Sequence, residues 1–188
     1  QEALVKGISK AWQTLETQIA QVAPSQAPVL IQGETGSGKE VVARLLHAQS
    51  HRAQGPCIAV NCGAVSRELL ESELFGYEKG AFTGATTAKP GLIGAAEGGS
   101  LFLDEVGEMP GPMQVSLLRF LDRNEFRPVG STRTLRADVR IICATNRDLQ
   151  ELVFQGRFRD DLLYRINTVT LRVPPLRERP EDIPGLVE

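Results

Sequence analysis

Gly33-Glu34-Thr35-Gly36-Ser37-Gly38-Lys39-Glu40 stands between an apolar run, Val29-Leu30-Ile31, and a helical pattern, Val41-Val42-Ala43-Arg44-Leu45-Leu46. Strand, glycine-rich loop and helix in that order are the context a phosphate-binding P-loop requires. The glycines let the backbone curl until its N–H groups converge on phosphate oxygens. The helix N-terminus adds a partial positive charge, and Lys39 adds a full one for the outer phosphates. A Ser or Thr ordinarily follows the lysine and reaches a metal. Glu40 stands there instead, so the octapeptide predicts a phosphate cradle and leaves the ligation of magnesium open.

Working outward, the chain alternates helix and strand. Trp12, Leu15, Ile19 and Val22 recur at helical spacing between Ser9 and Val22. Pro24 and Pro28 then bracket a polar linker, and strand 29–32 leads into the P-loop and a helix running to about Gln49. A second strand covers 57–62. Ser66 is placed to cap a helix over 67–74, and a glycine-punctuated segment spans 76–91. A short helix at 92–96 turns through Gly98-Gly99 into a strand at 100–103. Pro110 and Pro112 open a helix with Met113, Leu117, Leu118 and Leu121 on one face. Phe126 to Val139 reads as a hairpin around Gly130-Ser131, and a strand follows at 139–144. Asp148 and Glu151 make a capping-box pattern; a helix at 157–165, a strand at 169–173 and a proline-rich exit complete the order. Alternation of this kind predicts an α/β fold, a parallel sheet covered on both faces, with ligands at the carboxyl ends of the strands. The P-loop, Asp104 and Asn146 all follow strands directly.

Composition narrows the class. The 188 residues suit one sizeable domain, with 41% hydrophobic and 23% charged residues, an ordinary globular mixture. A net charge of −2 gives no electrostatic footprint for nucleic acid. Cys57, Cys62 and Cys143 have no metal-ligand spacing and read as buried reduced thiols of a cytosolic protein. His47 and His51 lie on the last turn of the P-loop helix and its exit, and read as solvated. No apolar run approaches membrane-spanning length, and no signal peptide is present.

A hydrolytic constellation completes the local reading. Leu101-Phe102-Leu103-Asp104-Glu105 is an apolar strand ending in two acids, some 65 residues after Lys39. Asp104 is placed to hold magnesium, directly or through water, and Glu105 to polarise the attacking water. Asn146, after Ala144-Thr145, either orients that water or senses the γ-phosphate; an Asx turn is the structural alternative. Near the P-loop only Lys39 stands ready to neutralise the charge that phosphoryl transfer builds. Arg159 and Arg165 are candidates for that task from a neighbouring subunit. Their residues alone favour surface arginines paired with Asp160 or Asp161.

These residues resemble an AAA+ ATPase, and Gly80-Ala81-Phe82-Thr83-Gly84-Ala85 matches letter for letter the GAFTGA signature of bacterial enhancer-binding proteins, the activators of sigma-54 RNA polymerase. Glu71-Ser72-Glu73-Leu74-Phe75-Gly76, Ala144-Thr145-Asn146-Arg147-Asp148-Leu149 and Val173-Pro174-Pro175-Leu176-Arg177-Glu178-Arg179 agree with it. The resemblance covers nearly the whole chain, and Glu40 after the lysine is what the family shows. It implies a three-layer P-loop NTPase sandwich around a mainly parallel five-stranded sheet, with residues 1–188 forming the α/β part of the domain and a helical lid expected beyond them. It implies ATP and Mg²⁺ as cofactors, held by Gly33 through Glu40 and by Asp104. Glu105 resembles the family's catalytic acid, Asn61 the asparagine that positions that acid between turnovers, Thr145 and Asn146 the first sensor, and Arg159 and Arg165 the fingers offered to the adjacent subunit. Gly80 through Ala85 resemble the loop that touches sigma-54, with a second loop near Arg127 to Arg133 assisting. A cytoplasmic hexameric ring is implied, reaching DNA only through a separate domain and no membrane. Physics supports a mobile contact role, since two glycines and two alanines anchor the hexapeptide weakly and leave Phe82 as an aromatic anchor for a partner. A turn tucking Phe82 into the core is the bland alternative. The rivals for the whole chain are another AAA+ remodelling ATPase and a nucleotide-gated binding module with negligible hydrolysis.

Overall fold

The computed structural model describes residues 7–187. Its elements in chain order are α1 (Lys10–Val22), β1 (Val29–Gln32), α2 (Lys39–Ala48), β2 (Cys57–Asn61), α3 (Arg67–Phe75), β3 (Gly76–Tyr77), β4 (Lys89–Pro90), α4 (Leu92–Ala95), β5 (Ser100–Asp104), α5 (Gly111–Arg123), β6 (Glu125–Phe126), β7 (Leu135–Arg136), β8 (Arg140–Thr145), α6 (Leu149–Phe154), α7 (Asp160–Ile166), β9 (Val169–Arg172) and α8 (Ile183–Val187). Five of the strands form one parallel sheet in the order β2-β5-β8-β1-β9, and β3-β4 and β6-β7 make two short antiparallel pairs.

Period-two alternation sorts the side chains of the central strands into two cores. Val29, Ile31, Phe102, Ile142, Ala144 and Leu171 meet Trp12, Leu15 and Ile19 of α1 and Val42 and Leu46 of α2. Leu30, Leu101, Leu103, Ile141 and Cys143 point the other way, onto α3 to α7 through Leu74, Met113, Leu117, Phe120 and Leu162. Two apolar faces covered by two helical layers make the sandwich that the alternating pattern predicts. Parallel pairing also brings the strand ends level. Asn61 pairs with Asp104, and Gln32 with both Thr145 and Arg172, so the polar ends of all five strands share one edge.

Local chemistry sets the boundaries. Ser9 caps α1 by accepting from Trp12 N at 3.1 Å, as its position before the apolar pattern predicts. Buried Arg140, at the start of β8, donates to Ala23 O (2.7 Å) and Val22 O (3.0 Å) and so caps the far end of α1. Asp148 accepts from Gln150 N and Glu151 N, but Glu151 turns to Gln155 Nε2, so the capping box is half made. Ser66 sits at the N-cap position of α3 with no side-chain cap bond. The helix expected from Arg157 begins only at Asp160.

Two solvent readings are corrected. His47 is buried rather than solvated, because its ring turns inward between Ser100 Oγ (3.0 Å from Nδ1) and Gly55 O (3.2 Å from Nε2). Burial lowers its pKa, and a neutral ring protonated at Nε2 satisfies both partners. Cys57 is exposed rather than buried, because β2 is an edge strand. Cys62 and Cys143 are buried as expected, and burial pushes the Cys62 thiol up to about 12.

Candidate functional site

The turn out of β1 is built from backbone before any side chain enters. Gly36 and Gly38 take φ +78° and +95°, a region that L side chains rarely adopt, and the loop delivers Lys39 as the first residue of α2. At Gly33 a Cβ would meet Ser37 Oγ at 2.6 Å and Val173 Cβ and O at 3.2 Å each, so a larger residue would displace the Ser37 hydroxyl and crowd the exit of β9. Lys39 is buried, and its Nζ donates to Gly33 O and Glu34 O at 2.8 Å each. Burial lowers its pKa, and the nearby carboxylates of Asp104 and Glu105 oppose that shift. Ser37 Oγ is buried with no hydrogen-bond partner among the described residues. Open space at Gly36, an unpartnered Ser37 hydroxyl and a buried ammonium fit a phosphate chain, which supplies an acceptor to the hydroxyl and an anionic partner to the cation.

The acids stand on the same edge. Asp104 ends β5, and its Oδ1 accepts from Glu105 N at 2.8 Å. Glu105 lies in the left-handed region at φ 53°, ψ 48°, a strained conformation for a non-glycine residue. That twist throws its carboxylate across to the end of β2. A Cβ on Gly63 would run into Glu105 Oε2, and the same point lies 3.4 Å from Asn61 Oδ1, which accepts from Gly63 N at 2.8 Å. Asn61 and Glu105 are therefore brought together, as the resemblance implies. Among the described residues no cluster of three His, Cys, Asp or Glu could hold a metal. A magnesium ion would lean on Asp104 and on nucleotide oxygens, the usual way that ion is held beside phosphates.

Thr145 and Asn146 close the site from β8. Thr145 O accepts from Gly33 N at 3.2 Å, buried Thr145 Oγ1 accepts from Arg147 N at 3.0 Å, and Asn146 Nδ2 donates to Thr35 Oγ1 at 2.9 Å. Glu40 behaves differently: its carboxylate is exposed and pairs with Arg44 one turn along α2 at 2.8 Å. Arg159 and Arg165 sit apart from this chain's own P-loop, on the face where α7 packs against α5. Arg159 binds Asp161 through Nε (2.9 Å) and Nη2 (2.8 Å), and Arg165 Nη2 donates to Leu121 O with Nε 2.7 Å from Asp122 Oδ1.

Lys39 is not the P-loop's sole cation, and this corrects the sequence reading. Arg177 binds Glu34 through both terminal nitrogens, at 2.6 and 2.7 Å, and holds the Glu34 carboxyl below its ordinary range. Arg179, buried, donates to Ser37 O at 2.5 Å and to Pro174 O at 3.0 Å and lies 4.9 Å above the Trp12 ring. Asp182 completes the buckle by accepting from Ile8 N, Ser9 N and Ser9 Oγ at 2.6 to 2.7 Å. Two signals pointed here: Val173 to Arg179 is one of the stretches that agree with the resemblance, and residues 174–182 leave β9 at the edge where ligands bind. A cleft of about 830 Å³ runs between this segment, the start of the P-loop and the end of β8, and a hollow of about 190 Å³ lies over Thr35–Ser37 beside Arg177.

The hexapeptide lies on a separate excursion between β3 and β4. Gly80 and Gly84 take φ +82° and +94° with open space around both. Gly80 N donates to Ala85 O at 2.9 Å and Ala85 N to Phe82 O at 3.1 Å, closing the loop on itself. Phe82 is exposed, not tucked into the core, yet its ring rests edge-on against Tyr77 with centroids 4.9 Å apart. The loop around Gly130 abuts it: a Cβ on Gly130 would meet Ala81 Cβ at 2.9 Å, and Glu78 N donates to Val129 O at 3.0 Å. The loop at 127–133 thus lies against the hexapeptide.

The comparisons with known proteins agree with this architecture. Residues 5–172 match the family model described as the sigma-54 interaction domain. The chain is 56% identical over 184 residues to the Nif-specific regulatory protein of Herbaspirillum seropedicae, covering 98% of this chain and 34% of that protein. It is 56% identical over 182 residues to the response regulator protein PilR of Pseudomonas aeruginosa, covering 97% and 41%. The chain thus spans about a third to two-fifths of these relatives. The crystal structure of NtrX from Brucella abortus in complex with ATP superposes with a TM-score of 0.89 at 43% identity, over 97% of this chain and 39% of that one.

Proposed function

The chain belongs to the sigma-54 interaction domain family and has a P-loop NTPase fold, and from that premise we propose that it is the ATP-hydrolysing core of a sigma-54-dependent transcriptional activator. A ring of such cores, hexameric and cytoplasmic, converts hydrolysis into remodelling of the closed promoter complex through Gly80 to Ala85, and reaches DNA through a separate domain. The observation that carries the reading is the shared edge on which Lys39, Asp104, Glu105, Asn61 and Asn146 meet. The ATP complex of the NtrX relative supports the choice of nucleotide. Among the described residues no helix is long and apolar enough to cross a membrane.

In this reading Gly33 through Gly38 wrap the phosphates, and Lys39 leaves its two carbonyls for the outer phosphate oxygens. Magnesium, held through Asp104, supplies charge neutralisation on the phosphates. Glu105 takes up a proton from the attacking water when its carboxylate swings from the Asn61–Gly63 turn toward the cradle. Asn61 and Gly63 mark the resting position, and Asn146 couples the P-loop to the end of β8. Arg159 and Arg165, facing away from the chain's own cradle, serve a neighbouring subunit, where such a finger contributes about 10³–10⁵ in rate.

Glu105→Gln tests the assignment. Nucleotide binding should survive, because the amide keeps the volume and Asp104 and Lys39 are untouched, while turnover should fall to background. Titration of a labelled nucleotide and phosphate release on one preparation read both halves. Turnover near the unmodified rate would reject the role of Glu105.

A further inference from the structure

Helix α5 begins a few residues after the Asp104-Glu105 pair and packs along α7, the helix that starts beside Arg159 and carries Arg165. On its inner face, among Met113, Leu117 and Phe120, sits one polar side chain. Gln114 is 2% exposed. Its Nε2 donates to Met109 O at 2.9 Å and to Arg157 O at 3.1 Å, and its Oε1 accepts from Arg159 N at 2.9 Å. One amide thereby ties three backbone groups from two distant segments. The orientation of the amide follows from its partners, since two carbonyls need the NH₂ and one N–H needs the oxygen.

Both tied segments matter. Met109 ends the tight turn that leaves Glu105, in which Glu108 N donates to Glu105 O at 2.9 Å and Met109 N to Val106 O at 3.2 Å. Arg157–Arg159 is irregular backbone before α7; Arg157 N and Phe158 N donate to Leu152 O at 2.8 and 3.2 Å, and the Phe158 side chain is buried, but these holds stop short of Arg159 N. The N–H of Arg159 itself is held by Gln114 alone among the described contacts. A buried amide at a position that an apolar residue would fill needs a reason, and the backbone it holds is the platform of an exposed arginine.

We infer that Gln114 is a positioning residue for hydrolysis in the neighbouring subunit: it fixes the backbone that presents Arg159 across the interface, in register with the turn behind this subunit's own catalytic acid. The inference rests on the trans reading of Arg159 given above. Gln114 touches no substrate, and its effect passes through Arg159.

Mixed assemblies of the full-length protein separate this role from others. Gln114→Ala alone should lower turnover roughly ten- to a hundredfold, the scale of a small misplacement of a catalytic group, with labelled-nucleotide affinity held within about threefold. Mixing it with Glu105→Gln should restore turnover, because intact Arg159 from one variant then meets an intact cradle in the other. Mixing it with Arg159→Ala should not. Restoration by Arg159→Ala in place of Glu105→Gln would show that Gln114 acts through its own subunit's acid, and restoration by neither would show a purely structural role; each overturns the inference, as does full activity of Gln114→Ala alone. Gln114→Met keeps much of the volume, loses all three bonds and carries the same expectations if the alanine variant does not fold. The control is Arg159→Ala mixed with Glu105→Gln. A silent control means that the trans reading has failed and the inference falls with it, whereas an active control beside a silent or wrongly partnered Gln114 mixture overturns the inference alone.

Discussion

The loop from Gly33 to Lys39 and the loop from Gly80 to Ala85 use glycine alike, each with two residues at positive φ, and differ in what reaches them from elsewhere. Four outside groups hold the first: Arg177 on Glu34, Arg179 on Ser37 O, Asn146 on Thr35, and Thr145 O on Gly33 N. The second closes on itself by two backbone bonds and rests on Tyr77 and the Gly130 loop. Glycine permits a tight loop, but long-range contacts decide whether it is a preorganised cradle or an arm that moves at little cost.

The comparison breaks most sharply at Lys39. Lys39→Ala should weaken nucleotide binding by at least about thirtyfold, some 2 kcal/mol, the lower range for removing one partner of a desolvated charge pair. The hexapeptide should keep its conformation, so fluorescence of a probe on Lys79 should not change. A coupled change at Lys79 would mean that the two loops are not independent.

Arg179→Ala comes next. It removes the bond to Ser37 O and the cation over Trp12 and leaves Asp182 buried without its charge partner, 3.6 Å away. The cost should be about 3 kcal/mol of stability, read by denaturant unfolding. The same buckle predicts an acid response. Burial, the largest influence, pushes the Asp182 carboxyl up, but bonds from Ser9 and Ile8 and the charge of Arg179 outweigh it and the net shift is down. A carboxyl lowered on folding stabilises fully above its unfolded pKa of about 4 and loses that contribution as pH falls through the folded value. The fall in melting temperature between pH 5 and pH 3 should therefore be smaller in Asp182→Asn. An equal fall in both would remove Asp182 from the acid response.

The smallest effect on the cradle is expected at Thr83. Thr83→Ala should leave nucleotide affinity and ATP turnover within about twofold, as for independent distant sites, while open-complex formation with sigma-54 polymerase is lost. Loss of turnover with normal sigma-54 binding would reverse the division of labour between the two loops.

Most of the architecture was legible because it rests on local pattern. Val29-Leu30-Ile31 and Leu101-Phe102-Leu103 read as buried strands, and a parallel sheet levels their carboxyl ends, so Asp104 and Asn146 fall on the P-loop edge; the order of the strands across the sheet is not in that pattern. What stayed hidden depended on partners far along the chain. Nothing in Leu176-Arg177-Glu178-Arg179 names Glu34 or Ser37, some 140 residues earlier. Cys57 reads as buried because an apolar strand looks the same at the edge of a sheet as at its centre, and His47 as solvated because a helix end says nothing of the strand it faces. Gln114 did leave a signal, a polar residue on the apolar stripe of α5, but its three partners are backbone groups and carry no residue code.

The buckle at Asp182 has a topological consequence. Ile8 and Asp182 are 174 positions apart and hydrogen bonded, so two segments remote in the sequence meet beside the P-loop. Those two segments form one node, tied through Arg179 to the carbonyl of Ser37. A pull on Ile8 or Asp182 therefore has a short route to the P-loop, through Asp182, Arg179 and the Ser37 carbonyl, that bypasses the sheet.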